Sequence, residues 1–213
     1  MKDRLSTSKE VQFQDMKSYY AFQAKIYDAT RWTFLYGRNS LLKKLPIDPS
    51  REVEILEVGC GTGVNLRKLA KLYPKAHLYG IDISGDMLRQ AQKNLEAFTD
   101  RVTLEEKPYE KGTDYLGKFD VILFSYALTM INPQWKELLE HAPNDLKDHG
   151  VIAVVDFHDA NFGFYRRFMR NNHVRLDGHI LPELNKLYQP QLSKVKKGLV
   201  GVWDYMMFIG SKK

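Results

Sequence analysis

Apolar residues in this chain change their spacing along its length, and each change predicts an element. Phe13, Met16, Tyr20, Ala24 and Tyr27 recur at steps of three and four, which is one face of a helix. Residues 52–58 (EVEILEV) form a short, partly β-branched run stopped at once by glycines, so a buried strand is expected there. Helical spacing returns over 64–73 through Leu66, Leu69 and Tyr73. A second strand is predicted over 78–83 (LYGIDI). Ser84 is then placed to cap a helix with Asp86 in its first turn and Met87, Leu88, Ala91, Leu95 and Phe98 on its buried face. Residues 102–104 predict a third, weak strand and 119–124 (FDVILF) a fourth. Asn132 followed by Pro133 reads as a cap with proline at the first helical position, ahead of an apolar stripe of Trp135, Leu138, Leu139 and Ala142. Gly150 is expected to stop that region before a fifth strand over 151–157 (VIAVVDF). A last strand is predicted over 203–209, and Lys194, Lys196 and Lys197 predict a solvated strand edge that deters pairing with other chains.

Strand and helix alternate from 52 to 157, and the strands are near-continuous apolar runs. This predicts an α/β fold, a Rossmann-like doubly wound sheet with helices on both faces. The N-terminal helices and the segment 158–200 lie outside the alternation and are free to form a lid. A single domain is expected over 1–213: a helical cap at 1–49, a core at 50–157, and an insertion with the final strands at 158–213.

Composition agrees, with 44% hydrophobic and 27% charged residues in a 213-residue chain, which excludes a disordered polymer. A net charge of +6 fits either an anionic partner or a well-solvated basic surface. The lone Cys60 permits no intramolecular disulfide and no cysteine zinc cluster, and in its turn it reads as small filler. The start, MKDRLSTSKEVQFQ, has no apolar core of a secretory signal, and the longest nearly apolar stretch, 121–131, is far short of the ~20 residues of a membrane span. A cytoplasmic protein is expected, with any membrane contact peripheral.

The sharpest chemical signal is Glu57-Val58-Gly59-Cys60-Gly61-Thr62-Gly63, set between strand and helix. A glycine turn at a strand's carboxyl end lets backbone approach a ligand closely, and the following helix offers free N–H groups. Val64 stands where a dinucleotide fingerprint needs its third glycine, and no Gly-Lys-Ser/Thr follows for a P-loop. What remains is G-x-G-x-G after an acidic strand end.

That pattern resembles motif I of the class I S-adenosylmethionine-dependent methyltransferases. Asp82 in GIDIS, Ser125-Tyr126 after the fourth strand, LKDHGVIAVVDF and the terminal WDYMMFIG resemble the family's later blocks in order. The resemblance implies S-adenosyl-L-methionine as cofactor and an antiparallel last strand. It also implies a cofactor site built from Gly59, Gly61, Gly63, Asp82, Ser84, Met87 and Ser125. Asp82 would accept the ribose hydroxyls and Glu57 would lie near the donor's ammonium group. The adenine contact is left open by Glu105-Glu106-Lys107-Pro108-Tyr109, where Tyr109 either stacks on the ring or packs at the surface. Methyl transfer from a sulfonium is an in-line displacement that needs alignment and a dry site, so no catalytic triad is required.

Residues 18–38 (SYYAFQAKIYDATRWTFLYGR) and 154–184, with their dense aromatics, arginines and His158, His173 and His179, resemble the N-methyltransferases of bacterial betaine-lipid synthesis. The resemblance implies trimethylation of the amine of diacylglycerylhomoserine. Tyr126, Asp156, His158 and His173 are then the candidate catalytic groups, since the amine must lose its proton. Arg31, Arg38, Arg175 and His179 are candidates for the head group, an Arg fork being suited to its carboxylate. Tyr20 and Tyr27 are candidates for the cofactor pocket and, with Tyr19, for faces that accommodate a methylated cation, although the same spacing also describes ordinary core. Clusters at 165–170 and 194–197, beside Phe162, Phe164 and Phe168, would suit an anionic lipid surface. Phosphatidylethanolamine, a quinone or a soluble small molecule are alternative acceptors. An RNA-binding or RNA-modifying methyltransferase is a second alternative that leans on the +6 charge, but Ser125-Tyr126-Ala127-Leu128 stands where a base-flipping Asn-Pro-Pro-Tyr motif would be, which argues against a nucleic-acid partner. No compact ligand spacing such as H-E-x-x-H occurs, so no metal is expected.

Overall fold

The computed structural model describes residues 35–112, 115–131, 133–163, 166–167, 169 and 175–213. The expected helix over 13–27 and the candidates Tyr20, Tyr27, Arg31 and His173 lie outside these residues. After a short helix α1 (Arg38–Leu42) come β1 (Glu54–Val58), α2 (Val64–Leu72), β2 (His77–Asp82) and α3 (Gly85–Asn94). Then follow β3 (Val102–Glu106), β4 (Phe119–Ser125), α4 (Trp135–Asp145), β5 (Leu146–Ala160), α5 (Ile180–Leu187), β6 (Tyr188–Gly198) and β7 (Trp203–Lys212). One seven-stranded sheet has the order β3-β2-β1-β4-β5-β7-β6. β1 to β5 are parallel, and β7 runs antiparallel to both β5 and β6. The order reverses beside β1, so β1 and β4 part at their carboxyl ends, where open α/β sheets bind ligands.

Alternation along each strand divides the core in two. Ile55, Val121, Leu123, Val151, Ala153, Val155 and Met207 join the face covered by α1 to α3. Leu56, Ile122, Phe124, Ile152, Val154, Met206 and Phe208 join the face covered by α4 and α5. Each strand is apolar on both sides because both sides are covered.

Three details differ from the sequence reading. α4 begins at Trp135, with Gln134 in helical backbone before it and no side-chain cap, so Pro133 is not its first position; Asn132 lies outside the described residues. The reason is local: Met130 N and Ile131 N bond Ala127 O, and Trp135 N bonds Ile131 O, so the helix grows out of existing turns. Gly150 does not end a helix but lies inside β5. There the pairing jumps from Phe119–Leu146 to Val121–Val151, and a Cβ at Gly150 would sit 2.8 Å from Phe119 O. Helix α5 was not foreseen, and β6 was anticipated only as a lysine edge. β6 is the edge strand, with Lys194, Lys196 and Lys197 exposed.

Arg101, just before β3, ties the carboxyl end of α2 to this frame. Its guanidinium donates to Ala70 O at 2.5 Å, Ala76 O at 3.2 Å and Tyr73 O at 3.4 Å. A cation there satisfies terminal carbonyls and opposes the helix dipole. Arg101→Met keeps the apolar stem and removes the donors. Denaturant unfolding should show a loss of about 1–3 kcal/mol.

Candidate active site

The glycine turn follows β1 directly. Gly59, Gly61 and Gly63 have φ of 68°, 54° and 73°, a left-handed region where a side chain is strained. At Gly63 a Cβ would also meet Leu95 Cδ1 at 2.8 Å, whereas at Gly61 it would meet nothing within 4 Å. The turn is therefore packed on α3 at one end and open at its centre. Gly61 N donates to Asp82 Oδ2 at 2.8 Å, and Ser84 N donates to Asp82 Oδ1 at 2.9 Å. One carboxylate thus fixes both the turn and the start of α3. Ser84 Oγ caps that helix by accepting from Met87 N at 3.4 Å, and Met87 is buried beneath.

Two buried oxygens face this region without a hydrogen-bond partner among the described residues: Glu57 Oε2 and Ser125 Oγ. Glu57 Oε1 accepts from Asn65 Nδ2 at 2.7 Å. Burial pushes the Glu57 carboxyl up to about 8, against the opposing pull of Asn65 and of the nearby Arg38 charge. Cys60 is buried, and burial raises its thiol, as suits a filler.

A second group of residues lies above β4, β5 and β7. Tyr126 has φ of 56°, and its hydroxyl donates to Tyr36 O at 2.7 Å. Tyr36 stacks on Tyr205 with centroids 6.1 Å apart, and a Cβ on Gly37 would strike the Tyr205 ring at 2.5 Å. Residues 36–38 are thus pressed onto the sheet, bringing Arg38 to Glu57. Asp156 is fully buried and accepts from Thr129 Oγ1 at 2.6 Å, Thr129 N at 3.2 Å and Phe157 N at 2.8 Å. Burial pushes it up to about 6. Arg175 N donates to Thr129 O at 3.2 Å and Arg175 Nε to Asp177 Oδ2 at 2.6 Å. Asp177 also holds His179 Nδ1, and Trp135 packs edge-on to that imidazole at 4.6 Å. His158 Nδ1 and His179 Nε2 are buried without a hydrogen-bond partner among the described residues.

Residues 55–150 match the family model described as a methyltransferase domain. Over these residues, a little under half of the chain, the sequence is similar to methyltransferase domains. A malonyl-[acyl-carrier protein] O-methyltransferase of Priestia megaterium is 35% identical over 155 residues, 70% of this chain and 53% of that one. The N-methyltransferase NodS of Bradyrhizobium japonicum WM9, solved with S-adenosyl-L-homocysteine, shares the fold at TM-score 0.66 and 18% identity, over 82% of this chain and 85% of that one. The 1,6-didemethyltoxoflavin-N1-methyltransferase of Burkholderia thailandensis, also solved with S-adenosylhomocysteine, shares it at TM-score 0.71 and 15% identity, over 98% and 90%. The chain spans about half the length of the first curated relatives it matches. No helix among the described residues is long and apolar enough to cross a membrane.

The fold brings Glu57, Gly59, Gly61, Gly63, Asp82, Ser84, Met87 and Ser125 to one end of the sheet, and Tyr126, Asp156, His158, Arg175 and His179 to the same end. Arg38 is near enough to Glu57 to pull its carboxyl down, while Arg175 is held by Thr129 and Asp177. Tyr109 is neither stacked in the open turn nor at the surface: it is 6% exposed and donates its hydroxyl to Asp145 at 2.8 Å. Asn65, Thr129, Trp135 and Asp177 were not singled out as site residues. Only Asp177, between Arg175 and His179, carried a local signal.

Asp156 has a folded-state value above its ordinary one, so folding favours its protonated form. Its contribution to stability is present below about pH 4 and is lost as pH rises through about 6. Asp156→Asn should therefore gain about 2–3 kcal/mol relative to wild type between pH 4 and 7, read by denaturant unfolding at both values.

Proposed function

We propose that the protein is an S-adenosylmethionine-dependent N-methyltransferase that trimethylates the amine of diacylglycerylhomoserine. The cofactor supplies a sulfonium methyl group that needs no further activation. The residues at the turn fit it: an open left-handed glycine backbone, two buried oxygens lacking hydrogen-bond partners among the described residues, and a carboxylate at the end of β2. In this reading Asp82 accepts the ribose hydroxyls, and Glu57 Oε2 faces the ammonium. Arg38, drawn beside Glu57, meets the cofactor's own carboxylate rather than the head group.

The observation that carries N-methylation is the pair of buried imidazole nitrogens on His158 and His179 that have no hydrogen-bond partner among the described residues. An amine must shed its proton before it attacks. Burial lowers His179 below the usual histidine value, and the neighbouring His158 and Arg175 add to that, against Asp177. A neutral ring that donates Nδ1–H to Asp177 presents Nε2 as an acceptor. Asp156 and Tyr126 act as positioning residues here, one holding the Thr129 loop and the other the segment before α1. Arg175 offers its guanidinium to the head-group carboxylate.

A second reading is methylation of a carboxylate oxygen, favoured by the O-methyltransferase of Priestia megaterium among the relatives. A carboxylate has no proton to lose. Purified protein, labelled S-adenosylmethionine and a lipid extract spiked with diacylglycerylhomoserine separate the two. Products one, two and three methyl groups heavier are expected. His179→Ala should slow transfer about 10²–10⁴-fold while S-adenosylhomocysteine binds as to wild type. An alkali-labile methyl ester formed at an unchanged rate in His179→Ala would establish the second reading instead.

Cofactor binding should also depend on pH. A Glu57 carboxyl that titrates near 8 is protonated at neutral pH and must ionise to face a cation. Binding should release a proton, and affinity should rise by up to tenfold for each pH unit below about 8 and level off above it. Calorimetry with S-adenosylmethionine in buffers of different ionisation enthalpy reads that proton, and Glu57→Gln should abolish it.

A further inference from the structure

Five large apolar side chains are markedly exposed among the described residues, and four of them gather at one corner of the sheet. Tyr36 (39% exposed) lies over Tyr205 and Trp203 near the start of β7. Leu199 (37%) is in the turn between β6 and β7, and Val195 lies opposite Met206 on the edge strand. Phe162 (49%) follows β5, and its neighbour Asn161 binds it to that same turn: Asn161 N donates to Val202 O at 3.2 Å and Asn161 Nδ2 to Gly201 O at 2.7 Å. Leu116 alone lies elsewhere.

The same corner is cationic. Lys194, Lys196 and Lys197 are exposed on the edge strand, in register with Met207, Tyr205 and Asp204 of β7. No ion pair of these lysines occurs among the described residues. Lys196 therefore stands across from the tyrosine on which Tyr36 stacks. Because β6 and β5 both end where β7 begins, the corner is at the carboxyl end of the parallel strands. That is the end at which the glycine turn, His158 and His179 lie.

Exposed aromatic and aliphatic tips beside a row of lysines on the edge strand suit a surface that is anionic outside and apolar just beneath. A nucleic acid would match the charge but not Leu199 and Phe162 together. We propose that this corner docks the protein on an anionic bilayer, with Tyr36, Phe162 and Leu199 entering the interface and Lys194, Lys196 and Lys197 meeting the head groups. The inference deepens the lipid-acceptor reading and rests on it for its purpose, since docking there turns the active-site end toward membrane lipids.

Flotation of the whole protein with vesicles tests it. Vesicles of phosphatidylcholine mixed equally with phosphatidylglycerol should bind it, vesicles of phosphatidylcholine alone should not, and added salt should weaken the binding. Lys194→Glu/Lys196→Glu/Lys197→Glu should reduce partitioning by at least about a hundredfold. Phe162→Asp/Leu199→Asp should reduce it at unchanged charge on the lysine edge. Both variants should bind S-adenosylhomocysteine as wild type does, which shows that they are folded. Equal binding to both vesicle types, or anionic binding untouched by either variant, would overturn the proposal. So would an RNA mobility shift that the lysine variant loses while vesicle binding persists. Methyl transfer to detergent-dispersed diacylglycerylhomoserine separates the two claims: its persistence in both variants leaves the acceptor reading intact whatever the vesicles do.

Discussion

The site depends on one carboxylate. Asp82 ends β2 and accepts the backbone N–H of Gly61 on one oxygen and that of Ser84 on the other. Those two groups belong to the turn after β1 and to the start of α3, so one side chain ties the two segments together. Three successive left-handed glycines form a turn with little intrinsic preference for a single shape. A charge-assisted acceptor aimed at its middle gives it one, and Gly59 N and Cys60 N complete the seating on Ile81 O. The open face of the turn is then held ready for a ligand before any ligand arrives.

The other half of the site is held by buried polar groups on β4 and β5. Asp156 fastens Thr129, Thr129 O accepts from Arg175 N, and Asp177 gathers Arg175 and His179. Tyr126 adopts a left-handed backbone immediately after β4 and pins Tyr36 from below. The Asp156–Thr129, Arg175–Thr129 and Tyr126–Tyr36 links join segments far apart in sequence, whereas Asp177 binds its neighbours two residues away on either side. Residues at this end of the sheet are therefore placed by a few long-range hydrogen bonds together with the local clasp of Asp177.

The sheet was legible because its strands are both-face apolar runs and its glycines sit where only glycine fits. The G-x-G-x-G turn, Asp82 and the Ser84 cap could be read from local spacing. The edge lysines were legible too, since solvation leaves its mark on composition. β6 as a strand was not, because a mostly exposed edge carrying Pro190 has neither alternation nor an apolar run. Helix α5 is eight residues long with Pro182 inside, too short for periodicity to declare it. Asp156 looked like a base because it ends a strand beside histidines, and only the fold reveals its full burial against Thr129. Tyr109 was ambiguous for the same reason: its partner Asp145 is 36 residues away.

The claim at the centre of this account is that the Asp82-clasped turn is the cofactor site. Calorimetry of S-adenosylhomocysteine binding to wild type and to Asp82→Ala tests it most directly, alongside a thermal melt that confirms folding. The account predicts a folded variant whose binding is weaker by about 1–3 kcal/mol, because both the shaped turn and a charged acceptor are lost. A folded variant that binds with wild-type affinity would contradict it.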